Sequence, residues 1–182
     1  MRDEKGKDKK IASSAKELAY SAVFVALLIG GQLALSVLPG VEIVTVLYVA
    51  YAYVFGIRRG MVAATAFSLL RQLVFGFYPT VLILYLIYFN ALAVLFGWLG
   101  GRKKERLPAL TLIACLSTAS FTMIDNILTS LWYGYTWKMA KTYFLASLPV
   151  MLPQIVCTAV TVSLLFLPVR KIFTAARSHL KD

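Results

Sequence analysis

The sequence predicts an all-α, polytopic membrane protein: a bundle of six transmembrane helices with its N- and C-termini in the cytoplasm. Three observations carry this. The chain of 182 residues is 60% hydrophobic and only 15% charged, where a soluble domain averages about 25%. Sixteen of its 19 Lys and Arg fall in four clusters: residues 2–16, Arg58 with Arg59, residues 102–106, and residues 170–181. Between the clusters lie long, nearly uncharged apolar stretches. Threading them as six passes puts every cluster on the same side, as the positive-inside rule requires.

Residues 1–16 read as a basic cytoplasmic segment, mobile or lying on the lipid surface. Residues 17–169 form the transmembrane domain, and residues 170–182 a basic cytoplasmic tail. The first span covers residues 18–38, is retained rather than cleaved as a signal, and ends at Pro39-Gly40. The second, residues 41–57, is near the short limit for a bilayer and is expected to be covered by its neighbours or to thin the membrane. Arg58-Arg59-Gly60 turns the chain inside. The third span is residues 61–77, with a tight outer turn at Tyr78-Pro79. The fourth runs to residue 99 and the fifth from 108 to 132. A short aromatic outer loop at 133–142 leads to the sixth span, 143–169, which Pro149, Pro153 and Pro168 are expected to interrupt. Only Lys138 and Lys141 lie in the outer loops. The spans are too long and too continuously apolar for a β-barrel.

The formal charge of +11 lies next to membrane spans, so anionic lipid is a better partner than nucleic acid. No phosphate-binding Walker loop is present, so ATP hydrolysis would have to come from another chain. His179 is the only histidine and sits in the tail, which leaves no metal site and no Ser-His-Asp set. Cys115 and Cys157 read as small packing residues. No cofactor is expected.

Polar side chains inside spans are costly and therefore informative. On the fifth span Cys115, Thr118, Thr122, Asp125, Thr129 and Trp132 recur every three or four residues and form one stripe. Asp125 lies roughly 10 Å below the outer end, at ~1.5 Å per residue. Arg71 lies near the outer end of the third span, sharing a face with Ala64, Ser68 and Phe75. Gln32 and Ser36 are one turn apart in the outer half of the first span. Glu42 starts the second span on the outer side. Asn90 and Gln154 are near mid-membrane, and Thr158 and Thr161 continue the Gln154 face. The strongest polar groups thus gather in the outer half. One reading is a small-molecule pocket open to the outside. Asp125 and Asn126 would bind a donor-rich group, and Trp132, Tyr133, Tyr135 and Trp137 would cover it. The other is interhelical polar glue with an ordinary aromatic belt. An Arg as deep as Arg71 needs a counter-charge or a ligand: Glu42, Asp125 or an anionic solute. On the first span Ala15, Ala19, Ala22, Ala26 and Gly30 form a small-residue stripe, either packed internally or free to receive another helix.

With these residues in view, the chain resembles the substrate-binding S component of energy-coupling factor (ECF) transporters over nearly its whole length. ALSVLPGVEIVTVLYVAYAYVFGIRRG, residues 34–60, looks like the family's first outer turn and second helix. FSLLRQLVFGFYPTVLILYLIYFN, residues 67–90, continues the likeness. The resemblance implies a multi-pass subunit of a bacterial or archaeal cell membrane that captures a vitamin or micronutrient outside. It implies docking on a transmembrane T component driven by two ABC-type ATPases, through the helix-one pattern at Ala22 and Ala26, extended by Ala15 and Ala19. It implies an outer pocket that takes in Asn90, Asp125, Asn126 and Gln154, and Glu42 more weakly. Arg71 lies away from that pocket's centre. The riboflavin, thiamine and biotin subgroup patterns are not matched, which leaves the solute open. The alternatives are a small membrane scaffold without a ligand and, behind it, a membrane-embedded enzyme.

Overall fold

In the computed structural model, residues 2–37, 43–102 and 106–180 are described, with side chains in the first helix from Ala15 onward. Six helices account for nearly all of them: α1 (Arg2–Leu35), α2 (Val44–Phe55), α3 (Ile57–Phe75), α4 (Pro79–Gly100), α5 (Leu107–Trp132) and α6 (Trp137–His179). No strand occurs among the described residues.

Four segments are long and apolar enough to cross a membrane: Ala15–Leu35 of α1, and the whole of α4, α5 and α6. Their outer faces carry large bare apolar side chains, such as Leu18, Val23, Leu27, Leu112, Leu116, Ile127, Leu131, Val156 and Leu164. A water-soluble bundle does not present a continuous coat of this kind. Two of the six expected spans are not among these four. With 12 residues, α2 is about 18 Å long, short of the ~30 Å hydrocarbon core. And α3 carries Arg58, Arg59 and Arg71 within its 19 residues.

The short helix is the centre of the molecule. All twelve residues of α2 are buried, and α2 touches every other helix. Its side chains are apolar or aromatic apart from Thr45, so it can be surrounded without stranding charge. Tyr48, fully buried, sends its hydroxyl between the backbone oxygens of Gly60 on α3 (2.8 Å) and Phe89 on α4 (2.9 Å), and donates to one or the other. The Phe24 ring stacks on Tyr51 with centroids 3.9 Å apart, which ties α1 to the same centre. Phe67, Tyr85, Phe89 and Phe121 continue the aromatic core into α3, α4 and α5.

End contacts fix the direction of each helix. Glu17 pairs with Arg59, Arg177 donates to the Val54 backbone oxygen, and Arg170 lies over the Tyr53 ring. Leu99, Arg102, Arg106 and Leu110 gather beside Tyr53. At the far end Gln32, Arg71 and Tyr85 meet, as do Asp125 and Tyr143. Successive helices therefore run antiparallel, and members of all the later basic clusters converge on one end.

Several boundaries differ from the sequence expectation. Residues 2–16 are helical and continuous with the first expected span, since α1 begins at Arg2. The inner turn is not Arg58-Arg59-Gly60, which lies in the first turn of α3. The chain reverses at Gly56 alone, whose φ of 83° is open to glycine and strained for other residues. The outer turn occupies residues 76–78, where the Tyr78 N–H donates to Gln72 Oε1 and Pro79 opens α4. The aromatic loop is residues 133–136 only. The prolines do not interrupt α6, which stays helical for 43 residues and absorbs most of the expected tail. Pro39, Gly40 and Glu42 lie outside the described residues.

The end of α4 presses on the α2–α3 junction through glycines. A Cβ on Gly97 would stand 2.6 Å from the Ile57 backbone nitrogen, and one on Gly100 would be driven into the Tyr53 backbone oxygen. Gly30 on α1, by contrast, has open space around the same position. Gly100→Ala should therefore destabilise the protein by about 1–3 kcal/mol through overpacking. Gly30→Ala should be neutral or slightly stabilising. Thermal melts of the two variants in one detergent check the contrast.

Candidate functional site

The polar stripe of α5 faces α6 along its length, and this seam changes character with depth. In the half nearer the basic end it is closed. Thr111 and Ser163 hydroxyls lie 3.4 Å apart, the Cys115 thiol donates to the Ile155 backbone oxygen at 3.8 Å, and Thr118 and Thr158 hydroxyls share a hydrogen bond of 3.0 Å. Each polar group here has a partner across the seam or on its own helix. This part is the interhelical glue.

Toward the aromatic end the seam opens into a cavity of about 310 Å³. Phe121, Thr122 and Asp125 line it from α5, and Tyr143, Ala146, Ser147, Val150, Met151 and Gln154 from α6. The Asp125 carboxylate accepts from the Tyr143 hydroxyl at 3.4 Å and from the Thr129 hydroxyl at 3.5 Å. Both are long for O–H···O bonds, so the carboxylate keeps acceptor capacity toward the cavity. It has no cation within ion-pair distance among the described residues. Asn126, behind it, donates to the Thr122 backbone oxygen at 2.8 Å and to Ser147 Oγ at 3.1 Å. Its own carbonyl oxygen is buried without a partner. Asn126 does not itself line the cavity, whose wall carries Asp125 as its one charged acceptor.

A second hollow of about 460 Å³ continues outward along α6. It shares Tyr143 and Ala146 with the first and adds Tyr135, Lys138, Met139 and Thr142. Tyr133 stacks on Tyr135 at 6.1 Å, and Tyr135 meets Tyr143 edge-on at 5.9 Å. These rings connect the loop to the cavity mouth. Trp132 and Trp137 do not join them: they are 56% and 86% exposed.

Of the residues singled out in the sequence, Asp125 and Gln154 line the cavity, and Asn126 and Thr129 support it. Asn90 does not line it; its amide donates to the Leu86 backbone oxygen one turn earlier at 2.8 Å. Glu42 lies outside the described residues. Tyr143, Ser147 and Met151 were missed. Their spacing of four, four and then three to Gln154 along α6 is the helical face that could have revealed them.

Arg71 is elsewhere. It does not pair with Asp125, because α3 and α5 make no contact among the described residues. Its Nε donates to Gln32 Oε1 at 3.0 Å, and the Gln32 amide donates to the Tyr85 hydroxyl at 2.9 Å. The guanidinium lies 4.3 Å from the Tyr85 ring centre and 4.8 Å from that of Phe75. Two aromatic faces and an amide meet the charge in this half-buried place, and cation–π contacts of this kind contribute about 0.5–2 kcal/mol.

No metal-ligating group of three His, Cys, Asp or Glu forms among the described residues. The small-residue stripe of α1 is bare. Ala15, Ala19, Ala22, Ala26 and Gly30 are all exposed, while α1 packs inward through Ser21, Phe24, Val25 and Leu28. No protein family, curated protein or solved structure matches the chain.

The closed part of the seam gives a direct check. A double-mutant cycle of Thr118→Val and Thr158→Val, read by denaturant unfolding in detergent, should show a coupling of about 0.6 kcal/mol, the usual size for a hydrogen bond between membrane helices. The same substitution at Thr174, which donates only to its own helix, should show no coupling to Thr158→Val.

Proposed function

We propose that this chain is the membrane-embedded solute-binding subunit of an ATP-driven importer of the energy-coupling factor type. In this reading it crosses the bilayer with both ends in the cytoplasm and takes a vitamin or micronutrient from outside. It docks on a transmembrane T component, and two partner ATPases hydrolyse ATP. The observation that carries the reading is the α5–α6 cavity. It lies at the end of the bundle away from the basic clusters, and it is lined by the Asp125 carboxylate, which has only two long hydrogen bonds and no cation within ion-pair distance among the described residues, with the buried, unsatisfied Asn126 amide oxygen behind it. Polar groups left in that state are expensive unless something binds them. The Asp125 carboxylate in the wall favours a solute with N–H or O–H donors or a positive charge. The bare alanine stripe on α1 supports the docking half of the reading, because small residues let a second helix approach closely.

The two halves separate by mutation. Denaturing the purified chain should release a small molecule that mass spectrometry can identify. Asp125→Ala should cut its recovery about tenfold or more, in line with a lost hydrogen bond to a charged group, and leave partner assembly intact. Ala22→Leu with Ala26→Leu should abolish assembly and leave the solute bound. A wild-type chain that releases nothing, together with variants that assemble normally, would instead identify a scaffold without a ligand.

A further inference from the structure

The basic end of the molecule holds a cavity of about 590 Å³ that the solute-binding reading does not use. It is lined by Arg58 and Arg59 at the start of α3, Arg177 near the end of α6, Glu17 of α1, and the apolar side chains of Phe55 and Leu180. The charges inside are unevenly matched. Arg59 is neutralised by Glu17 and lies over the Phe55 ring, 5.7 Å from its centre. One Arg177 nitrogen donates to the Val54 backbone oxygen, which occupies a free carbonyl at the end of α2. Arg58 is exposed and has no acidic partner within ion-pair distance among the described residues. Among the described residues, three guanidinium groups therefore face one carboxylate across a hollow between four helices. The uncapped start of α3, where Gly56 offers no side-chain acceptor, adds positive potential to the same space.

The lining is also two-sided, with cations at the rim and aromatic and aliphatic groups beside them. We propose that this cavity binds the phosphate oxyanion of an anionic phospholipid headgroup, with Arg58 and Arg177 as the principal contacts and the Phe55–Leu180 side receiving the start of the acyl chains. Guanidinium forks suit phosphate oxygens, and basic hollows between membrane helices are where such headgroups lodge. The inference rests on the bilayer reading of the helices and is independent of the solute.

Native mass spectrometry of the full chain released from nanodiscs tests it. The discs contain phosphatidylcholine alone or with a quarter phosphatidylglycerol, and recovery of folded protein in the discs tests the bilayer reading separately. Arg58→Gln and Arg177→Gln should each weaken retention of phosphatidylglycerol over phosphatidylcholine about fivefold. Arg102→Gln, at the same end but stacked on Trp98 outside this cavity, should change it less than twofold. Arg58→Gln removes no contact that holds the fold, so it stays informative if Arg177→Gln misfolds. Equal losses in all three variants, or no loss in Arg58→Gln, would overturn the site in favour of diffuse surface charge. A second arm adds inorganic phosphate to the detergent-solubilised protein. Stabilisation there that depends on Arg58, with no lipid preference in the discs, would keep the oxyanion site and assign it to soluble phosphate.

Discussion

Everything in this structure is arranged around a helix too short to cross a membrane. Twelve residues of α2 sit at the centre of the bundle, buried on every side and in contact with all five other helices. A helix in that position can hold no charge and can leave little hydrogen-bonding capacity unmet. Its three tyrosines show how the requirement is satisfied. The Tyr48 hydroxyl uses backbone oxygens of α3 and α4, and Tyr51 shares a hydrogen bond with Ser21 on α1. The ring of Tyr53 meets Phe166 of α6. The surrounding helices must then come close, and Gly60, Gly97 and Gly100 let them do so. Burial of α2 thus sets the spacing of its neighbours and leaves their other faces to the lipid.

With α2 filling the centre, α5 and α6 meet along a seam of their own. Thr118 and Thr158 close it at one depth. Farther out, the larger and less evenly paired set of Phe121, Asp125, Tyr143 and Gln154 leaves a hollow. The same polar stripe is structural along one part of its length and available along the other. A bilayer rewards satisfied polar groups only modestly and penalises unsatisfied ones heavily. The Asp125 carboxylate lines that hollow with only two long hydrogen bonds, and the Asn126 amide oxygen behind it is buried without a partner. The other end of the bundle has the opposite chemistry, with arginines in excess around a hollow beside α2. The two hollows thus differ in charge: Asp125 lines one, and arginines outnumber the single described carboxylate, Glu17, around the other.

Much of this was legible in the chain. The apolar stretches between the charge clusters marked the six helices, and the three-to-four spacing on α5 marked its contact face. The near-minimal length of the second apolar stretch already raised the idea of cover by neighbours. Asp125 and Gln154, which line the hollow, stand out in the chain because charge and amide groups are conspicuous against apolar surroundings. What escaped depends on distance through space. Phe75, one turn after Arg71, was on the expected face, but Gln32 and Tyr85 come from other helices and turn a seemingly unpaired arginine into a supported one. Trp132 fits the periodicity of the stripe yet is exposed, although Thr129 in the same turn is buried. The prolines of α6 suggested breaks, and the helix carries them without interruption.

The central functional claim concerns what the bare face of α1 and the outer cavity serve together. Mild-detergent purification of the intact chain from its native cell, followed by mass spectrometry of the co-purifying proteins, tests it most directly. The account predicts a multipass T subunit together with two P-loop ATPases. Repeated recovery of the folded chain without any of them would contradict it.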